Sequence, residues 1–141
     1  MRVLKHRHGF WTSRSANVGM KLSLALIPIM LGAGVAIDAV RANYVRTVLQ
    51  GAADAAALAG SSISDKSDAA LDAMVKQYLQ ANDAIDVLNY VTAIEQKIDN
   101  ANSTLSVSIE GKINSGFMQV AGFSSMDVGA KSEVHFNFVR Q

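Results

Sequence analysis

Hydrophobic positions follow three different periods along the chain. The first is an unbroken run, LSLALIPIMLGAGVAI, from Leu22 to Ile37, with Ser23 its one polar residue and no charge. These 16 residues make a helix of only about 24 Å. The hydrocarbon core of a bilayer is about 30 Å thick and needs about 20 residues. Extending the helix from Met20 to Val40 supplies the length. Lys21 then snorkels to one headgroup layer, and Asp38 falls within about one turn of the other interface, where a carboxylate costs far less than at the centre. Arg41, at i+3, can pair with Asp38 on the helix surface. Pro28 removes a backbone donor in the first half and predicts a kink, which membrane helices tolerate. Gly32 and Ala36, four apart with Gly34 between them, offer a small-residue face for another helix.

The second period is helical. From Ala39 to Gly60 there is no proline, and Ala, the best helix former, is abundant. Val40, Tyr44, Val48, Ala52, Ala55 and Ala59 form a strip at mostly four-residue spacing. The membrane helix is thus predicted to run on into water, about 60 Å from Met20 to Ala59. The nearly knobless AADAAALAG, with Leu49 before it, lets another element approach closely; Leu49, Ala52, Ala55, Ala56 and Ala59 are the packing candidates. Asp54 there reads as solvated or locally hydrogen-bonded. Gly60 and the following serines end the helix. Ser67 is an N-cap candidate for DAALDAMVKQYL, which puts Leu71, Met74, Val75, Tyr78 and Leu79 on one face.

After Asn82-Asp83 the period becomes two. Leu88, Tyr90, Ile94 and Ile98 share one parity and predict a strand. Asp99 to Ser103 reads as a turn. Leu105, Val107, Ile109 and Ile113 then oppose Ser106, Ser108, Glu110 and Lys112, as in a half-buried strand. SGFMQVAG, Ser115 to Gly122, predicts a short helical turn that places Phe117, Met118 and Val120 under the sheet. In the last strand Met126, Val128, Ala130, Val134, Phe136 and Phe138 alternate with polar residues, His135 among them. The expected fold class is α+β: a long amino-terminal membrane-spanning helix continuing beyond the bilayer, a second helix, and a small, mostly antiparallel three-stranded sheet with one face on the helices and one in water.

Charge sharpens the membrane assignment. A chain of 141 residues is one domain by length. Residues 1–21 hold Arg2, Lys5, Arg7, Arg14 and Lys21 and no acid; the other eight of the 13 basic residues face all 12 acids, a net −4. A basic arm directly before an apolar run reads as the cytoplasmic flank of a membrane helix. Charge alone is a poor nucleic-acid signal, so no nucleic-acid partner is assigned. Half the residues are hydrophobic but only 6% aromatic, and there is no Cys, hence no disulfide framework or thiolate site. That is compatible with a periplasmic location.

Candidate chemistry is sparse. His6 and His8 lack further ligands. Asp65, Asp68 and Asp72 fit the acid enrichment of a helix amino terminus better than a cation site. Asp99 to Ser103 lacks a calcium ligand at Ala101. Asn102-Ser103-Thr104 is a formal glycosylation sequon. His135 is the sole histidine outside the arm, and no nucleophile with a base, paired acids or ligand cluster accompanies it. No enzyme activity, cofactor, metal or small-molecule substrate is therefore expected. A competing possibility is a cleaved secretory signal, cut after Ala36 at Gly34-Val35-Ala36, releasing a secreted binding module. A prepilin-type site is not supported, because the stretch after Gly19 lacks the required acid.

LALIPIMLGAGVAIDAVRANYVRTVLQGAADAAALAGS, Leu24 to Ser61, resembles the amino-terminal region of TadG-like proteins of the TadE/TadG group, components of the bacterial tight-adherence (Flp) pilus system. The resemblance rests on Pro28, on Asp38 ten residues later, and on LQGAADAAALAG; the tail GFMQVAGFSSMDVGAKSEV, Gly116 to Val134, is similar to the strand–turn–strand ending of small members. It implies a pilin-like architecture and a bitopic bacterial inner-membrane protein, amino terminus inside and body in the periplasm. The corresponding segments are a basic cytoplasmic arm (1–21), a transmembrane helix (22–40), a periplasmic helical region (41–82) and a small β-rich region (83–141). It further implies a structural role in pilus assembly, with the lipid bilayer and other Tad/Flp pilus-assembly membrane proteins as partners. Pro28, Gly32, Gly34, Ala36, Asp38 and Arg41 are the candidates for membrane-helix packing or partner contact. Asp38 would set the helix depth or meet a basic residue of a partner. The aromatic usual after the Asp is Ala39 here, and the chain has no room for the von Willebrand type A domain of larger members.

Overall fold

A computed structural model describes residues 14–62 and 67–135. The arm before Arg14 with His6 and His8, and Asp65, Phe136 and Phe138, lie outside the described residues. The first helix, α1 (Arg14–Ser62), runs 49 residues with Pro28 inside it. That is about 74 Å of helix. A second helix, α2 (Asp68–Ala81), starts at Ser67, whose side chain accepts from the Ala70 N–H. Three strands follow, β1 (Val91–Asp99), β2 (Thr104–Asn114) and β3 (Ser125–His135), in the spatial order β1-β2-β3. Both pairings are antiparallel, so the sheet is a meander with β2 at its centre.

Ile109 shows how the registers build the core. It lies opposite Ile94 on one side and Ala130 on the other. With Leu105, Val107 and Ile113 it is fully buried, because odd positions of β2 all project to one face. That face meets α1, which contributes Val45, Leu49, Ala52, Ala53, Ala56 and Ala57, and α2, which contributes Leu71, Val75 and Leu79. The α+β architecture of one long helix, one shorter helix and a three-stranded antiparallel sheet is the expected one.

Three local expectations change. The buried strip of α1 is not the one read from four-residue spacing: Val40 and Tyr44 are 70% and 57% exposed. Four residues turn a helix about 400°, so a strict i+4 series drifts about 40° per step around it. The true strip mixes steps of three and four from Asp38 through half-buried Ala42 to Val45, Leu49, Ala52, Ala56 and Gly60, which apart from Ala42 are all buried. Second, Leu88 and Tyr90 belong to a 3-10 turn, Ile85–Tyr90, not to β1. Asp83 takes φ 52 just past α2, and the turn that follows buries Val87 and half-buries Tyr90 at period three. Third, SGFMQVAG does contain a 3-10 turn, Met118–Ala121, but it does not lie under the sheet. Phe117 is 48% and Val120 77% exposed, and only Met118 is half-buried. This loop leaves the sheet and reaches α1 instead.

Candidate functional site

Between Val18 and Ile37, α1 has tertiary cover only at Gly34. From Val18 to Ile37 every side chain is exposed except at Gly34, although the segment is rich in Leu, Ile, Met and Val. Within the described residues α1 is the one helix long and apolar enough to cross a membrane. The second half is the opposite, a core helix of a small folded body. The junction between the two regimes is Asp38.

Asp38 is 4% exposed. Its Oδ1 accepts the Gly116 N–H at 3.1 Å, and its Oδ2 accepts the Phe117 and Met118 N–H groups at 2.9 and 2.7 Å. Three consecutive backbone donors thus converge on one carboxylate from 78 to 80 residues away in sequence. Successive N–H groups curled in this way form an anion-holding nest. Met118 also opens a 3-10 turn, whose first donors have no partner within the turn. A carboxylate removed from water is tolerated when it is fully hydrogen-bonded, and bonds to a charged acceptor are the stronger kind.

Gly34 lies one turn earlier on the same face. A Cβ there would sit 2.5 Å from Phe117 Cβ and 2.7 Å from its Cγ. The ring of Phe117 therefore packs on bare helix backbone, which only glycine allows. Together Gly34 and Asp38 hold the loop by a steric socket and an anion. The loop closes through Gly122, at φ 93, and through the Ser115 N–H donating to the Ser124 carbonyl.

Arg41 does not form the expected surface ion pair with Asp38. Its guanidinium donates to the Tyr90 hydroxyl at 2.7 Å and lies 5.4 Å from the ring centroid. The ion pairs among the described residues, Asp72–Lys76, Lys112–Asp127 and Lys131–Glu133, are elsewhere and solvent-exposed. Arg41 instead ties α1 to the turn before β1, by a hydrogen bond and a cation–π contact.

The remaining candidates separate into two groups. Pro28, Gly32 and Ala36 are exposed on the apolar half of α1, and no atom comes within 4 Å of a Cβ built on Gly32. Leu49, Ala52 and Ala56 are fully buried, Ala55 half-buried and Ala59 exposed. Asp54 is locally bonded to Gln50, whose amide also donates to the Lys131 carbonyl of β3. Asp99 caps the β1–β2 turn, accepting from the side-chain and backbone N–H of Asn102 and from the Ala101 N–H. The Asn102 amide chiefly, with these backbone donors, holds the Asp99 carboxyl below the usual carboxylate range. His135 Nδ1 lies 3.2 Å from Thr104 Oγ1. Among the described residues no three His, Cys, Asp or Glu gather as a metal site.

The partners of Asp38 leave almost no mark in sequence. Backbone N–H groups are supplied by any residue but proline, so Gly116, Phe117 and Met118 cannot be recognised as donors. The hint is indirect: Gly34 and Asp38 are one turn apart, and no charge occurs between Lys112 and Asp127.

No curated protein and no solved structure matches the chain. A family model does: residues 17–75 match Tad, described as "Putative Flp pilus-assembly TadE/G-like". The match spans the exposed apolar half of α1, the Asp38 junction, the buried half of α1 and the start of α2. On this match residues 17–75 are similar to the Tad family, the TadE/G-like segment of Flp pilus assembly.

Proposed function

We propose that this chain is a bitopic structural component of Flp pilus assembly in a bacterial inner membrane. Its amino terminus lies in the cytoplasm and its body in the periplasm. The observation that carries this is the Tad match over a helix whose segment Val18–Ile37 is exposed at every position but Gly34. The basic residues before that half support the orientation by the positive-inside rule. The role is mechanical and not enzymatic. The first half of α1 anchors the protein and presents Pro28, Gly32 and Ala36 to neighbouring helices of other Tad components. The Gly32–Ala36 spacing suits close helix approach. The body docks in the periplasm, fixed to the anchor through Gly34, Asp38 and Arg41, with the Leu49, Ala52, Ala55, Ala56 and Ala59 segment as its spine.

Deleting the gene should remove Flp pili from the cell surface, counted by electron microscopy, and a plasmid copy should restore them. Unchanged piliation in the deletion strain would end the proposal. Intact mass of the membrane-fraction protein separates the anchor from the secreted alternative. An uncleaved chain supports the anchor; loss of about 36 residues, a cut after Ala36, supports release.

A further inference from the structure

We propose that the loop Gly116–Phe123 is a second membrane contact, with Phe117, Val120 and Phe123 entering the interfacial layer at the face where α1 leaves the bilayer. The inference rests on the anchor described above and adds a surface to it.

Depth comes first. The uncharged run Leu22–Ile37 is exposed except at Gly34; it is about 24 Å of helix, the greater part of the hydrocarbon thickness, and ends beside Asp38. Gly34 therefore lies about 5 Å inside the end of that stretch. Phe117 packs directly on Gly34. The loop is thus held at the level of the lipid boundary, beside the helix and not above it.

Composition agrees. Phe117, Val120 and Phe123 are 48%, 77% and 60% exposed. No charged residue occurs from Ile113 to Met126. Large apolar side chains left open together on a folded body mark an interaction surface.

The backbone is also prepared for low dielectric, where an unpaired N–H is expensive. The N–H groups of Gly116, Phe117 and Met118 go to Asp38. Those of Val120, Gly122 and Phe123 go to carbonyls of Phe117, Gln119 and Met118, and that of Ser115 to Ser124. Asp38 is then more than a tether: it takes three of the loop's donors beside the lipid boundary. Aromatic and aliphatic side chains over a largely hydrogen-bonded backbone suit the headgroup–acyl boundary. A lipid surface fits better than a protein partner because the patch is continuous with the apolar half of α1.

The chain has no cysteine, so single labels can be placed without background. The full chain, as Val120→Cys or Phe123→Cys, is labelled with an environment-sensitive fluorophore and reconstituted in vesicles of phosphatidylethanolamine and phosphatidylglycerol. Leu24→Cys marks the span, and Lys97→Cys, exposed on β1, marks water. The expected result is that labels at 120 and 123 are quenched several-fold more by lipids with a nitroxide near the headgroup than the label at 97, and resist aqueous iodide. If position 24 is lipid-quenched while 120 and 123 behave like 97, the loop is in water and the proposal fails. Iodide protection without lipid quenching means that protein covers the loop, and also overturns it. A label at 24 that is open to iodide removes the anchor itself, a separate failure.

Discussion

Gly34→Ala adds one methyl at the point where Phe117 meets α1. The new Cβ lies 2.5, 2.7 and 2.9 Å from Phe117 Cβ, Cγ and Cδ1. Carbon atoms in ordinary contact are about 3.5–4.0 Å apart, so Phe117 must retreat by about 1 Å. The nearest atom is its Cβ, fixed to the backbone, so rotation of the ring does not relieve the clash. A retreat of the loop takes the Asp38 bonds, now 2.7 to 3.1 Å, to about 3.7–4.1 Å, beyond hydrogen-bond range. Overpacking of this kind costs about 1–3 kcal/mol, a change of roughly 5–150-fold in a local opening equilibrium. Gly32→Ala is the internal control. It makes the same chemical change two residues away, where nothing lies within 4 Å, and gains the better helix former. Amide hydrogen exchange of the reconstituted protein, read on peptides covering Gly116 to Met118, measures the difference. Exchange there should accelerate in Gly34→Ala and stay at the wild-type rate in Gly32→Ala. Equal protection in both variants would show that the loop does not depend on the Gly34 socket.

Ile109→Ala removes a fully buried side chain from the central strand; a loss of about 2–5 kcal/mol is expected in denaturant unfolding of the body. Tyr90→Phe keeps the ring under Arg41 but removes the hydroxyl that the guanidinium bonds, so it should cost about 0.5–1.5 kcal/mol in the same assay, while Tyr90→Ala, which also deletes the cation–π contact, should cost more. Asp99 is held below the usual carboxylate range by donors from Asn102 and Ala101. Its contribution to stability is therefore present above the unfolded-state pKa and lost as pH falls through the lower folded value. Carbon-13 titration of its carboxyl should find that lower midpoint, and Asn102→Ala should raise it.

The helices and the central strand were open to sequence reasoning because their signals are local. Ser67 caps α2 through its own side chain, and the parity of Leu105, Val107, Ile109 and Ile113 is set by strand geometry alone. The strip of α1 was harder. Val40, Tyr44 and Val48 are as apolar as a core face, yet Val40 and Tyr44 point away from it, since a helix that is apolar or Ala-rich all round gives little contrast between its sides. Leu88 and Tyr90 fit a period of two by spacing, but the turn started at Asp83 imposes a period of three. The site itself was half legible. Asp38 stands out as a carboxylate at the end of an apolar run, and its neighbour Arg41 suggests a partner in sequence. The actual partners are backbone donors about 80 residues on, which no side-chain pattern encodes. Phe117 and Val120 show the same limit: hydrophobicity predicts burial under the sheet, but both are exposed on a loop that reaches α1.

The carboxylate of Asp38 joins the exposed apolar half of α1 to a loop of the folded body, so piliation of an Asp38→Ala strain tests the proposal most directly. The variant is expressed as the sole copy, its level in the membrane fraction is matched to wild type by immunoblot, and surface pili are counted by electron microscopy. Pilus number should fall towards that of the deletion strain while protein level holds. Wild-type piliation at equal protein level would contradict the role given to Asp38.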